Sequence, residues 1–279
     1  MINRVTFAGS GHGGIVAFKS LQQVFTYIDV VSDDMSLLQL LRKEDSVISS
    51  ITAGVSKIIV CAGYHKIISK DVVEKYTIIN THPSLLPKYR GMHGLAWAML
   101  NQEKELGFSI HLMNEFIDDG DILEQYKILY SGQTSKEVMD MFDDYVENNL
   151  GRVVQSYLKG DLKPVPQNKS EATWVAKRNI EDCIIDYNKN NDSLRMMFKV
   201  LVPPYPLPII KVHNTLYEVK EYKIIDRAYE MHNGRVENIE NDEVYIKIKD
   251  GLLIIDELLE FGTDNVLKAA SLLKIGQRL

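Results

Sequence analysis

The first half of the chain alternates short β-rich runs with amphipathic stretches, and this alternation restricts the fold more than any other feature. Residues 5–8, 27–31, 57–61 and 77–80 read as strands. Between them, 14–24 and 35–51 read as helices, the second on an apolar stripe of Leu37, Leu38, Leu40, Leu41, Val47 and Ile48. Parallel strands need crossover connections, so the pattern predicts an α/β, Rossmann-like fold: a mostly parallel sheet with helices on both faces. Such sheets bind ligands beyond the C-terminal ends of their strands.

Further along, a helix is expected after Gly91 as far as Leu100, then strands over 107–113 and 122–129. A long helix follows over 135–158, with Ser135 as its N-cap and Met139, Phe142, Val146, Leu150 and Val153 on one face. Beyond Lys159 the punctuation changes. Val202-Pro-Pro-Tyr-Pro-Leu-Pro is incompatible with a regular helix. Short β-runs at 216–219, 236–239, 244–248 and 252–255 then dominate, with Asn241-Asp242 and Asp250-Gly251 as turns and a closing helix over 264–273. This predicts a catalytic domain over 1–185 and a smaller, mainly β C-terminal domain over 186–279.

At 279 residues two domains are expected, and the 45% hydrophobic and 25% charged content is that of an ordinary globule. A net charge of -6 offers no general attraction to phosphate backbones, so no nucleic-acid partner is expected. Cys61 and Cys183 lack ligand spacing, so neither a disulfide framework nor a metal site is expected. With no leader-like start and no apolar run of membrane-spanning length, the sequence predicts a cytoplasmic protein without membrane attachment.

Gly9-Ser10-Gly11-His12-Gly13-Gly14 matches GxGxxG after a strand, with Asp29 or Asp33 near the distance expected of a ribose-binding acid. A first strand-to-helix turn favours glycine for its geometry alone, which weakens the dinucleotide reading. The same turn could instead cradle one phosphate or carboxylate of a substrate, with Ser10 and His12 as added donors, or simply pack.

The most informative stretch is Ile79-Asn-Thr-His-Pro-Ser-Leu-Leu-Pro-Lys-Tyr-Arg-Gly91, at the C-terminal end of a predicted strand. Asn80 and His82 are two apart, so in extended backbone their side chains leave on one face. Phe116-Ile-Asp118-Asp119-Gly-Asp121-Ile packs three acids around a glycine; taken alone it is a solvated turn. His111, on a predicted strand, reads as a core or supporting histidine.

Together, NTHPSLLPKYRG and IDDGDI resemble the folate-dependent formyltransferases, with similarity extending through Gly107-Phe-Ser-Ile-His111 and, more loosely, from Lys177-Arg178 to Asp186-Tyr187. The resemblance implies that Asn80, His82 and Asp118 are the catalytic residues, and that N10-formyltetrahydrofolate is the co-substrate, without a metal. It places the folate along Lys66, Ile67 and Ile68, near Met92, and against Asn114, Glu115, Phe116 and Ile117. The chemistry agrees: Asn80 offers an N–H to an oxyanion, His82 titrates near neutrality, and Asp118 would orient it.

Glycinamide ribonucleotide enzymes of that family are usually single compact domains, whereas this chain continues past about residue 190. A tRNA-binding C-terminal domain is expected to be basic, yet residues 186–279 hold 13 Lys+Arg against 15 Asp+Glu. The run from Pro87 to Met99 looks most like sugar-nucleotide N-formyltransferases. The acceptor is therefore expected to be a nucleotide-linked amino sugar, with dTDP-3-amino or dTDP-4-amino dideoxyhexoses first, used in surface polysaccharide synthesis by a homodimer. Trp97 and Tyr205 are candidate substrate contacts, with packing as the plainer role of each. Methionyl-tRNA formylation and a non-catalytic folate- or nucleotide-binding protein are the alternatives.

Overall fold

The computed structural model describes residues 3–279. It divides into two compact units, the first comprising Met1–Ala98, Glu103–Ser131 and Glu137–Lys177, the second Met99–Gln102, Gly132–Lys136 and Arg178–Leu279.

The first unit is built on a seven-stranded sheet. Its strands are β1 (Arg4–Gly9), β2 (Tyr27–Val31), β3 (Ser46–Val47), β4 (Ile58–Ala62), β5 (Thr77–His82), β7 (Glu105–Leu112) and β8 (Ile122–Leu129); β6 (Arg90–Gly91) lies outside it and pairs with β9 (Trp174–Val175). The spatial order is β3-β2-β1-β4-β5-β7-β8, parallel from β3 to β5 and antiparallel over the last two pairings. Adjacent residues of β1 serve opposite faces. Phe7 meets Phe18 of helix α1 (Gly11–Gln22) with ring centroids 5.5 Å apart. Ala8 joins Ile59, Cys61 and Ile78 in a cluster that Val72 and Val73 of α3 (Lys70–Lys75) cover from the other side. Every residue of β4 is buried, as a strand covered on both faces requires.

The predicted helix over 35–51 does not form. Helix α2 is only Met35–Leu38, and the chain turns to lay β3 beside β2. The cause lies at Arg42, whose guanidinium donates to the carbonyls of Gln22 (2.7 Å) and Phe25 (2.9 Å), while the Asp45 carboxylate accepts the Arg42 backbone N–H at 2.9 Å. That local side-chain bond ends the helix, and the apparent apolar stripe splits: Leu37 is fully buried and Val47 is exposed.

Helix α4 (Gly94–Leu100) follows β6, and α5 (Ser135–Lys159) buries Phe142, Val146, Leu150 and Val153. Ser135 is the first residue inside α5, not its cap; its hydroxyl donates to the Val200 carbonyl at 2.7 Å.

The second unit holds α6 (Asn191–Val200) and two antiparallel four-stranded sheets. One contains β10 (Ile209–Val212), β11 (Thr215–Val219), β16 (Glu257–Glu260) and β17 (Val266–Lys268); the other contains β12 (Tyr222–Asp226), β13 (Val236–Glu240), β14 (Glu243–Ile248) and β15 (Gly251–Ile255). Asn241 and Asp242 both take positive φ (50° and 69°), the geometry of a tight hairpin between β13 and β14. The expected helix over 264–273 shrinks to α7 (Ala269–Leu272), because Val266–Lys268 extends beside β16 instead. Helix α6 was not read from the sequence, although Asn190 caps it by accepting the Ser193 N–H at 2.8 Å and Leu194, Met197 and Phe198 are buried.

Candidate functional site

Strand β5 runs on to His82, so both Asn80 and His82 project from regular structure at its C-terminal end. His82 is only 4% exposed; its Nε2–H donates to the Tyr89 carbonyl at 2.8 Å, and its Nδ1 lies 3.5 Å from Asp118 Oδ2. Burial, which disfavours the imidazolium, outweighs the raising effects of Asp118 and the Tyr89 carbonyl and holds the His82 pKa below its ordinary 6.5. For Asp118 burial pulls upward, but its hydrogen-bonding and charged neighbours, the Gly91 N–H among them, bring the carboxyl down to about 2. At neutral pH the pair is thus a neutral imidazole beside a carboxylate.

Asp118 reaches this place through a turn held in a left-handed conformation, φ 51°. Asp119, in the stretch that reads as a solvated turn, is instead 8% exposed and pairs with the buried Arg90 at 2.6 Å. Arg90 also donates to Gln167 Oε1 at 2.7 Å, and Gln167 Nε2 donates to the carbonyls of Asp118 (2.8 Å) and Gly120 (2.7 Å). Arg90, Asp119 and Gln167 brace the turn that carries Asp118. Sequence reasoning found none of these roles; the pairing of Arg90 with Asp119 was hinted at by their occurrence in the two motifs, whereas Gln167 carried no signal.

The loop after His82 is equally fixed. Ser109 Oγ donates to the Ser84 carbonyl at 2.7 Å and accepts the Leu86 N–H at 3.1 Å, tying the loop to β7.

A cavity of about 290 Å³ opens beside these residues. Lys66, Ile67, Ile68, Met92, Asn114, Glu115, Phe116 and Ile117 all line it, together with Asn80, Asp118 and Cys61. Ile67, Met92, Phe116 and Ile117 are exposed, leaving apolar side chains around it in contact with water. A second cavity of about 210 Å³ is lined by Tyr64, His65 and Lys66, which also line the first, and by Ser10, Ser32, Asp33 and Ser49.

The glycines of the turn serve packing and local hydrogen bonding. A Cβ on Gly9 would lie 2.2 Å from the Ala62 carbonyl oxygen, so the close approach of β1 to β4 demands glycine. Asp34 Oδ2 accepts the Gly11 N–H at 2.7 Å, so a carboxylate of the chain itself already sits where an incoming anion would bind. Asp29 is 3% exposed and accepts from Arg4 at 2.9 Å and from the Val55 N–H at 3.3 Å, which removes it as a ribose acceptor.

Ser10 lines the second cavity and donates to the Gly63 carbonyl at 3.0 Å. His12 points to Asp143, at 2.8 Å, and lines neither cavity. Trp97 is half-buried and its indole N–H donates to the Ala176 carbonyl at 2.8 Å. Tyr205 belongs to the second unit, half-buried in the proline-rich loop. Among the described residues no cluster of His, Cys, Asp or Glu is arranged to hold a metal ion, and no helix is long and apolar enough to cross a membrane.

A family model described as formyl transferase matches residues 29–154, a span that includes Asn80, His82 and Asp118. The methionyl-tRNA formyltransferase of Fusobacterium nucleatum is 30% identical over 250 residues, covering 85% of this chain and 79% of that protein. The chain belongs to the folate-dependent formyltransferases. Solved structures share the fold of this formyltransferase at low identity. HypX from Aquifex aeolicus is 19% identical with a TM-score of 0.67, covering 96% of this chain, which spans only 48% of HypX. An N-formyltransferase from Helicobacter canadensis, solved with folinic acid and dTDP-3-aminofucose, is 18% identical with a TM-score of 0.64, covering 91% of this chain and 98% of its own.

Proposed function

We propose that this formyltransferase moves a formyl group from N10-formyltetrahydrofolate to the amine of a nucleotide-linked amino sugar. The observation that carries the transfer chemistry is the meeting of His82 and Asp118 at 3.5 Å beside the cavity that Asn80 and Asp118 line. Its exposed apolar rim and the backbone groups of the 66–68 and 114–117 segments suit a flat, partly polar ring system such as the pterin of the carrier.

The acceptor amine attacks the formyl carbon as its free base. A C–N bond forms, the carbonyl oxygen gains charge, and an Asn80 side-chain N–H donates to it. Neutral His82, with Asp118 beside it, relays the proton lost by the amine to N10 of the carrier as the N10–C bond breaks, so tetrahydrofolate leaves and the amide remains. Cys61 takes no part, since burial pushes its thiol up to about 12.

The second cavity, which shares Tyr64, His65 and Lys66 with the first, takes the remainder of the acceptor, with the hydroxyls of Ser10, Ser32 and Ser49 and the carboxylate of Asp33 as polar partners. The second unit serves acceptor binding or self-association as a homodimer. The acidic balance of residues 186–279, 13 Lys+Arg against 15 Asp+Glu, speaks for a small acceptor over tRNA. The binding of dTDP-3-aminofucose by the Helicobacter canadensis protein, whose chain this one covers almost entirely, supports the same choice.

Methionyl-tRNA formylation is the second reading, favoured by the 30% identity with the Fusobacterium nucleatum enzyme. Incubation with N10-formyltetrahydrofolate and either a panel of amino-sugar nucleotides or methionyl-tRNA, read by mass spectrometry, separates the two. The sugar reading expects one added formyl group on an amino-sugar nucleotide; formylation of methionyl-tRNA alone replaces it with the second.

A further inference from the structure

His111 is completely buried on β7, and the transfer chemistry above gives it no part. Its Nδ1 lies 2.7 Å from the Leu112 carbonyl oxygen. A carbonyl oxygen only accepts, so Nδ1 carries a proton, and in the neutral ring Nε2 presents a lone pair. That lone pair faces Asn80 Nδ2 at 3.3 Å, within hydrogen-bonding reach, whereas Asp118 Oδ1 lies outside it at 3.6 Å. Asn80 and His111 are direct cross-strand partners in the antiparallel β5–β7 pair, so the contact is set by the sheet and not by a loop.

An asparagine amide has two orientations related by a half-turn, and they differ in what they offer the cavity. With Nδ2 toward His111, one N–H is spent on the imidazole and the second remains available. The reverse orientation would set the amide oxygen against the Nε2 lone pair, two acceptors with no proton between them.

We propose that His111 is a positioning residue: through its neutral Nε2 it fixes the amide of Asn80 so that the remaining N–H is directed at the formyl oxygen. Leu112 selects the tautomer, His111 selects the amide orientation, and Asn80 makes the contact with substrate. Loss of His111 leaves Asn80 in place but free to turn its oxygen toward the developing oxyanion. This inference rests on the reading of Asn80 as the oxyanion donor.

One test reads the proton directly. In protein labelled with 15N and bound to folinic acid, the His111 Nε2 resonance is expected at the unprotonated position, with a coupling across the hydrogen bond to Asn80 Nδ2. A protonated Nε2, or no such coupling, overturns the proposal whatever the acceptor proves to be. A second test is a double-mutant cycle on turnover, with dTDP-3-aminofucose and methionyl-tRNA both supplied. His111→Ala is expected to lower kcat about tenfold or more in the native background and less than about threefold in Asn80→Ala, with folinic acid affinity unchanged. Equal losses in both backgrounds, or a matching loss of folinic acid binding, contradict it; His111→Gln serves the same comparisons if the alanine variant does not fold. If Asn80→Ala alone leaves turnover intact, the oxyanion reading fails, and the labelling result still decides what His111 does to the amide.

Discussion

Gly91 donates its backbone N–H to Asp118 Oδ2 at 2.9 Å, so the loop after β5 and the acidic turn after β7 are joined at the atom that faces His82. Gly91 stands at φ 102°, and a Cβ there would lie 2.3 Å from the Val175 carbonyl oxygen. The hydrogen bond, the backbone conformation and the pairing with β9 therefore constrain one another.

Substitution at Gly91 tests this junction. Gly91→Ala is expected to lower turnover by about tenfold or more and to destabilise the fold by about 1–3 kcal/mol, the range for strained backbone positions. Thermal unfolding and tetrahydrofolate release measure the two effects, and a variant unchanged in both would mean that the junction is not under constraint.

Asn80→Ala and His82→Ala are each expected to reduce turnover at least about a hundredfold, as removal of an oxyanion donor or a proton-transfer group does. Carrier affinity, measured with folinic acid by calorimetry, should change little in either variant. Near-native turnover in either would remove that residue from the mechanism.

The acid limb of the pH profile reports on His82. Its folded pKa lies below 6.5, so the neutral form is favoured in the native state, and the base is lost only as pH falls through a value lower than the usual histidine range. kcat/KM is expected to hold down to pH 6.5 and to decline below it. The same sign applies to stability: the unfolded chain takes up a proton here first, so stability held above 6.5 is lost progressively as pH falls toward the folded value. An acid limb centred above 6.5 would contradict the placement of His82 in a desolvated site.

Arg90→Met should be among the most damaging substitutions away from the reacting atoms. It leaves the buried Asp119 carboxylate without its 2.6 Å partner and removes the donors to Gln167, at an expected cost of about 3–5 kcal/mol. Chemical denaturation checks the figure. Stability unchanged within about 0.5 kcal/mol would show that Lys169, 3.6 Å from Asp119, suffices to balance the charge.

The sheet and the pairing of the two motifs were legible in the sequence because both are local. Short β-rich apolar runs at β1, β2, β4 and β5 mark strands whatever lies beside them, and Asn80 and His82 share a face by spacing alone. What escaped was non-local. The 35–51 stripe has helical spacing, but the fate of its second half is decided by Arg42 reaching back to Gln22 and Phe25. The GxGxxG turn advertises an anion site, but Asp34, more than twenty residues away, fills it. Asp119 looked solvated because its partner lies in the other motif, and Gln167 stands in a polar, proline-flanked stretch with no pattern to mark it.

The central claim is that an ionised Asp118, through His82, moves the proton that formyl transfer requires. Asp118→Asn keeps the size of the side chain and suits the left-handed backbone at φ 51°, while removing the charge. Tetrahydrofolate release from N10-formyltetrahydrofolate should be followed with the accepting amine present, alongside folinic acid binding. A fall of at least about a hundredfold with unchanged binding is the predicted result. Turnover equal to that of the native protein would contradict the account.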